Sequence, residues 1–257
     1  MTTAAVIAAR MGSSRLPGKC LMPVLGRPML ERMLERVRGS RHLGDVVIAT
    51  TELAEDDALE ALAARLGVRC FRGSVHDVLG RISAAAASTG AGEVVELLGD
   101  NPLVHADLID DVVEFFRGGR FDYAVSVTTE HPHADPALHR FAIGIRVEVF
   151  TPAAIAECAR TAREPRHREH TTSFMYEHPD RFRVGYFEAR GRWAALHRPP
   201  LSFAVNYAQN LELVQRIFER CSPVAANFTL ADVIRTFDAD PSLQRLMGAP
   251  PAGTEGR

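Results

Sequence analysis

The strongest constraint in this 257-residue chain is a regular alternation of short apolar runs with segments of helical period. Ala4-Ala5-Val6-Ile7-Ala8-Ala9 is continuously apolar, the pattern of a strand buried on both faces. Val46 to Thr50, Val68 to Phe71, Glu93 to Leu98 and Tyr123 to Val127 read as further strands. Between them, Met29, Leu30, Met33, Leu34 and Val37 recur at helical spacing, with Pro28 suited to a first helical turn. Leu53 to Leu66 is helical with Gly67 as its stop, and Asp77 to Ala87 and Asp107 to Phe116 are helical too. This alternation predicts an α/β fold of βαβ units, a mostly parallel sheet with helices on both faces. Ligands of such sheets sit beyond the carboxyl ends of the strands. The first strand ends at Arg10, the second at Thr50 and the fourth at Gly99-Asp100, so those places are expected to border one cleft.

The second half is less regular. Ile143 to Phe150 and Leu201 to Val205 read as strands, and Pro152 to Thr161, Leu211 to Arg220 and Thr229 to Phe237 as helices. His131 to His139 is a His/Pro/Ala loop, and Arg163 to His170 is dense in charge. The expected organisation is a single domain over 1–248 with an inserted arm across roughly 130–190, followed by a flexible Pro/Gly-rich tail at 249–257. Thirty Lys and Arg against 32 Asp and Glu leave a net charge of −2, so any anion site is local, and neither nucleic acid nor an anionic membrane is an expected partner. Cys20, Cys70, Cys158 and Cys221 form no Cys-x-x-Cys pair, and Arg10 interrupts the first apolar run. Neither a zinc motif nor a signal peptide is expected, and a cytoplasmic location is the default reading.

The most informative stretch is Ala8-Ala9-Arg10-Met11-Gly12-Ser13-Ser14-Arg15-Leu16-Pro17-Gly18-Lys19, which follows the first strand directly. Gly12 and Gly18 let backbone N–H groups approach an anion, Ser13 and Ser14 add neutral donors, and Arg10, Arg15 and Lys19 bring three cations. A triphosphate needs such a cradle before an oxygen nucleophile can approach phosphorus. The same composition also suits a solvated strand-to-helix loop. The spacing matches neither Gly-x-x-x-x-Gly-Lys-Ser/Thr nor Gly-x-Gly-x-x-Gly, which argues against a P-loop and against a dinucleotide-binding oxidoreductase.

Ala9 to Lys19 resembles the signature loop of the CMP-sugar nucleotidyltransferases, most nearly the spore-coat polysaccharide cytidylyltransferase-like group. More distant relatives would be the 3-deoxy-manno-octulosonate and acylneuraminate cytidylyltransferases. The resemblance continues at Gly26-Arg27-Pro28-Met29-Leu30, Val47 to Thr51, Glu55-Asp56-Asp57, Phe71-Arg72-Gly73-Ser74, Asp77-Val78-Leu79-x-Arg81, Gly99-Asp100-x-Pro102-Leu103 and Arg168-Glu169-His170-x-Thr172. It spans roughly residues 3–220. It implies a Rossmann-like nucleotidyltransferase that moves CMP from CTP to an acceptor and releases pyrophosphate. By position, Arg15 and Lys19 would hold phosphates, and backbone at Ala8, Ala9 and Arg10 would meet base and ribose. Ser74 and Arg81 would lie near the nucleoside, as would Thr50 at its strand end. Asp100 would hold Mg²⁺, the implied cofactor, which takes one or two carboxylates plus phosphate oxygens. Asp100 followed by Asn101 and Pro102 also suits a turn that merely caps the next element.

Two departures shape the expectations. The resemblance implies a second metal-binding Asp where this chain has Asn206, in Val205-Asn206-Tyr207-Ala208-Gln209-Asn210. An amide oxygen can ligate Mg²⁺ without supplying charge, a loss of several kcal/mol at roughly 4 Å and intermediate dielectric. A non-catalytic nucleotide-binding protein is therefore an alternative reading, and so is a transferase using UTP, dTTP or GTP with a sugar phosphate. Arg146 stands where the resemblance implies an Asp, near His131, His133, His139, Arg140, Arg163, Arg166, His167, Arg168 and His170. Arg140, Arg146, Arg168 and His170 are the candidates for binding an anionic acceptor, a sugar acid, sugar phosphate or phosphonate. A solvated face balanced by Glu164 and Glu169 is the other reading. Relatives of this kind are often dimers, and a homodimer is expected.

Overall fold

The computed structural model describes residues 2–225 and 227–247, so the expected tail at 249–257 lies outside the described residues. In chain order the elements are β1 (Thr3–Ala8), β2 (Pro23–Val24), β3 (Arg27–Pro28), α1 (Met29–Val37), β4 (Leu43–Thr51), α2 (Asp57–Leu66), β5 (Arg69–Gly73) and α3 (Val78–Thr89). There follow β6 (Glu93–Leu98), α4 (Ala106–Gly119), β7 (Tyr123–Ser126), β8 (Glu148–Phe150), α5 (Pro152–Thr161), α6 (Pro165–Glu169), α7 (Ser173–Glu177) and β9 (Val184–Phe187). The chain closes with α8 (Ala208–Cys221), α9 (Leu230–Ala239) and α10 (Pro241–Arg245).

Among the described residues a seven-stranded sheet runs β5-β4-β1-β6-β8-β7-β9, with β8 alone antiparallel to its neighbours. The continuous apolar run of β1 follows from its central place. Ala5 and Ile7 enter a core shared with α1, α2, α4, α8 and α9, while Val6 enters a second core shared with α3, α5 and α7. Both faces are therefore covered, as an α/β sheet requires. Burying each large aliphatic side chain contributes about 2 kcal/mol.

Three local expectations were changed by tertiary context. Pro28 lies just outside α1, ending a two-residue strand that pairs with Pro23–Val24 across Leu25 and Gly26, both at positive φ. Proline at both ends hides this hairpin from a strand reading. The expected strand from Ile143 narrows to β8, because Gly144 turns the backbone to φ 89°. The expected strand at Leu201 to Val205 contributes a single bridge, Ser202 to Ile143. Its hydrogen bonds include a pair with Ile143 and one from Val205 N–H to the Asp100 carbonyl at 2.9 Å. Within 130–190, the chain supplies β8 and β9 to the sheet and packs α5 beside α3. The rest, α6 and α7 with their loops, walls the cavity described next.

Candidate active site

A cavity of about 620 Å³ opens at the carboxyl ends of β1 and β6 and reaches along the α3 face of the sheet under α6 and α7. Its outer end is built by the bend after β1. Gly18, at φ 71°, sends its N–H back to the Met11 carbonyl at 2.9 Å, and Ser13 N–H reaches the same oxygen at 2.8 Å. The start of the bend is fixed by Asp56, fully buried, which accepts Met11 N–H at 2.6 Å and Thr51 N–H at 3.1 Å. Glu55-Asp56-Asp57 at a helix start reads simply as charge at its positive end. The tertiary structure instead spends the middle carboxylate on tying the bend to β4.

Close approach brings the strand ends together. Gly99 N–H donates to the Ala8 carbonyl at 2.8 Å, and a Cβ on Gly99 would lie 2.9 Å from Ala9 Cβ. Asp100 is thereby set beside the bend. Lys19, nearly buried, donates to Asp100 Oδ2 at 2.8 Å and to the Val205 carbonyl at 2.7 Å. Val205 N–H holds the Asp100 carbonyl, so Asn206 follows directly beside them. The Asn206 Oδ1 atom is buried and finds no hydrogen-bond partner. Arg15 is exposed and lies over the Tyr207 ring at 5.9 Å, and Arg10 faces Glu169 at 3.6 Å. Arg81 is buried, gives Nη1 to the Ser74 carbonyl at 2.6 Å and leaves Nε without a partner.

Ala8, Ala9, Arg10, Ser13, Ser14, Arg15, Lys19, Arg81, Asp100, Asn206, Arg146 and His170 thus share one cavity. Gly12, Thr50, Ser74, Arg140 and Arg168 are not among its lining residues. Gly12 lies against the Glu55 side chain. Thr50 is fully buried beneath the site. The Ser74 hydroxyl accepts the backbone N–H groups of His76 and Asp77 at 3.2 Å each.

The structure brings Arg146 and His170 of the expected acceptor-binding set to the cavity lining, but not Arg140 or Arg168. Arg140 spends its guanidinium on the carbonyls of Thr128, His131, Ala134 and Asp135, bracing the loop after β7. Arg168 donates to the Ala159 carbonyl at 2.8 Å and to the Asp77 carboxylate, which itself caps α3 through Gly80 N–H. Both read as binding residues in sequence because Arg is the usual fork for oxyanions, but backbone carbonyls and a cap carboxylate consume these forks. Arg140→Ala is expected to lower unfolding stability by about 2 kcal/mol through orphaned carbonyls. Denaturant titration reads this.

The inner end of the cavity carries a charge pattern the sequence did not disclose. Glu96 on β6 and Glu148 on β8 are directly opposed partners in the antiparallel register, and both are buried and line the cavity. Glu148 accepts from Tyr123 Oη at 2.9 Å and Thr172 Oγ1 at 3.1 Å, with Arg146 Nε at 3.6 Å and His131 Nε2 at 3.7 Å. Burial alone would raise its proton affinity, but Arg146 followed by His131 and Tyr123 hold it well below the usual carboxylate range. Glu96 receives the Thr171 hydroxyl at 2.8 Å on both oxygens. Burial, then the Glu148 charge, pushes its carboxyl up to about 8. Arg146 also reaches Glu130 at 3.2 Å, and Arg166 is paired with Glu164 and Glu177. The only signal in sequence was Glu at two strand positions that burial should have made apolar.

An open sheet with a cavity at the carboxyl ends of two adjacent inner strands defines an α/β protein of the class whose ligands bind in that crevice. Residues 4–198 match the family described as cytidylyltransferase. The chain is 33% identical over 241 residues to an uncharacterised protein of Methanocaldococcus jannaschii, covering 94% of this chain and 92% of that one. It is 30% identical over 222 residues to the spore coat polysaccharide biosynthesis protein SpsF of Bacillus subtilis, covering 84% and 85%. The solved cytidylyltransferase of Leptospira borgpetersenii superposes with a TM-score of 0.84 at 27% identity, over 97% of this chain and 98% of that one. A CMP:2-keto-3-deoxy-manno-octonic acid synthetase shares the fold, with a TM-score of 0.62 at 17% identity over 86% of this chain and 99% of that one. The chain belongs to the cytidylyltransferase family, and its fold is the Rossmann-like nucleotidyltransferase fold. Among the described residues no helix is long and apolar enough to cross a membrane.

Proposed function

We propose that this protein transfers CMP from CTP to a small anionic acceptor and releases pyrophosphate. One observation carries the reading: the bend after β1, Lys19, Asp100 and the Asn206 oxygen converge at the mouth of a single cavity. In this reading Arg15 and Lys19 hold the triphosphate. Ala8 to Arg10 and Arg81 meet the nucleoside, Arg81 through its free Nε. The acceptor lies in the inner end near Arg146 and His170. Positioning and charge compensation then carry most of the rate as the acceptor oxygen attacks the α-phosphorus in line.

Asp100 and Asn206 fit Mg²⁺, a hard cation that takes oxygen donors and shares its shell with phosphates. The buried Asn206 Oδ1 without a hydrogen-bond donor is an oxygen of the required kind. Bound there, the ion would supply charge neutralisation at the phosphates. With one carboxylate beside the Lys19 ammonium, the protein's own donors carry little net charge, so affinity for the free ion is expected to be weak. Asn206→Asp should tighten Mn²⁺ binding at least roughly tenfold, since a unit charge at contact distance is worth more than 1 kcal/mol. Calorimetry with Mn²⁺ alone reads this.

Pyrophosphate release with CTP, UTP, GTP and dTTP, across a sugar acid, a sugar phosphate and a phosphonate, tests the main reading. Turnover confined to CTP is expected, and release with UTP but not CTP would overturn it. Asn206 also favours a second reading, a binding protein without catalysis. That reading predicts calorimetric CTP binding, no turnover with any acceptor, and activity created by Asn206→Asp.

A further inference from the structure

We infer that Glu96 is the proton acceptor for the attacking hydroxyl of the acceptor, with Glu148 directly opposite it across the strand pair. This rests on the nucleotidyl-transfer reading above and adds to it the class of nucleophile: a neutral hydroxyl rather than an ionised phosphate or phosphonate oxygen.

The cavity's carboxylates leave one candidate. Asp100 is bonded to Lys19 at 2.8 Å. Glu130 receives Arg146 at 3.2 Å and the Thr128 hydroxyl at 3.3 Å. Glu169 is half exposed and faces Arg10. Glu177 holds Arg166 and His167 and is kept low by them against its own burial. Glu148 has Arg146, Tyr123, Thr172 and His131 around it. Asn206 has no acid–base capacity. Glu96 has the Thr171 hydroxyl as its hydrogen-bond partner and a like charge directly across the strand pair. Like charges at opposed strand positions repel, and a proton on one of the two relieves this.

The charged groups acting on Glu96 come from three directions. Glu148 on β8 raises its proton affinity, while Arg146 before β8 and Arg81 on α3 lower it. Burial with Glu148 outweighs the Thr171 hydrogen bond and the two cations, and paired acids pushed apart in this way mark acid–base assignments. The acceptor oxygen forms a bond to the α-phosphorus, the bond from that phosphorus to the bridging oxygen breaks, and pyrophosphate leaves with the electron pair. The hydroxyl proton passes to Glu96 and afterwards to solvent through the open cavity.

The test uses the full chain with Glu96→Gln and Glu148→Gln, CTP, and a sugar acid beside a phosphonate. Turnover of wild type with the sugar acid should rise with pH through a limb near 8, set by Glu96 losing its proton. Glu96→Gln should abolish the limb and cut kcat about a hundredfold with KM within about threefold, a usual general-base contribution. Glu148→Gln should move the limb to lower pH, since it removes the raising charge.

A second measurement needs no turnover. A carboxyl raised on folding binds its proton more tightly in the folded chain. Stability is therefore present below the unfolded value of 4.5 and is lost as pH rises toward about 8. Wild type should lose thermal stability across this window relative to Glu96→Gln. Parallel melting curves for the two proteins would sink the inference, as would a Glu96→Gln enzyme with an unaltered pH profile or use of the phosphonate alone. Failure of CTP to bind in calorimetry would instead strike the nucleotidyl-transfer reading, leaving the melting comparison to judge the Glu96–Glu148 pair.

Discussion

Replacing Lys19 with Ala is expected to cut turnover by roughly 10²–10³-fold, the usual effect of losing one preorganised charge at a transferring phosphoryl group. Lys19 is held from two sides, by the Asp100 carboxylate at 2.8 Å and the Val205 carbonyl at 2.7 Å. It therefore waits in place, and little reorganisation is needed when a polyphosphate arrives. Its removal strips a cation from the mouth of the cavity and frees Asp100 to swing. It also leaves a carbonyl and a carboxylate short of a donor, at a cost of about 1–3 kcal/mol in stability. Steady-state pyrophosphate release gives the first effect and thermal unfolding the second. A Lys19→Ala protein that stays folded and turns over like wild type would remove the phosphate role from the bend.

The largest structural effect is expected at Gly144. Its φ of 89° is a region that residues with a Cβ rarely enter, and a Cβ there would lie 2.2 Å from Ala204 N and 2.4 Å from the Phe203 carbonyl carbon. Both obstacles are backbone and cannot turn aside. Gly144→Ala should therefore cost about 4 kcal/mol or more, in the range reserved for strain and overpacking. The damage is local to function as well. The Ile143 bridge to Ser202 and the Phe203 N–H bond to Ile143 at 2.8 Å set the path of the chain into Val205 and Asn206. Pushing this segment away should loosen the Lys19 anchor and weaken CTP binding in the fraction that folds. Chemical denaturation and calorimetry on the same preparation separate the two losses. A stability within about 1 kcal/mol of wild type would show that the segments are not pinned as described.

The α/β architecture was legible because its causes are local. A strand covered on both faces must be apolar at every position, and a helix against a sheet must repeat its apolar residues near every fourth. Val6 and Ile7, with Met33 and Leu34, carry those signals without reference to any partner. The bend after β1 was equally legible, because glycines, serines and cations after a buried strand form a continuous stretch of chain. Less legible was everything that depends on which distant residue a polar group meets. Arg140 and Arg168 read as anion binders, while Arg146 reads the same way and does line the cavity, paired with Glu148 and Glu130. Nothing in the immediate neighbourhood of these three arginines distinguishes them.

By itself, the order of residues determined the layered fold, two of the three strand ends expected to border the cleft and the family to which the chain belongs. Each of these rests on periodicity or on contiguous stretches. Tertiary structure alone decided that Asp56 clamps the bend, that Lys19 is shared between Asp100 and Val205, and that Glu96 stands opposite Glu148. Those pairings join residues separated by 45, 81 and 186 positions, or depend on the register of two antiparallel strands. The energy of a charge is set by what faces it across space, and only the folded chain chooses that neighbour.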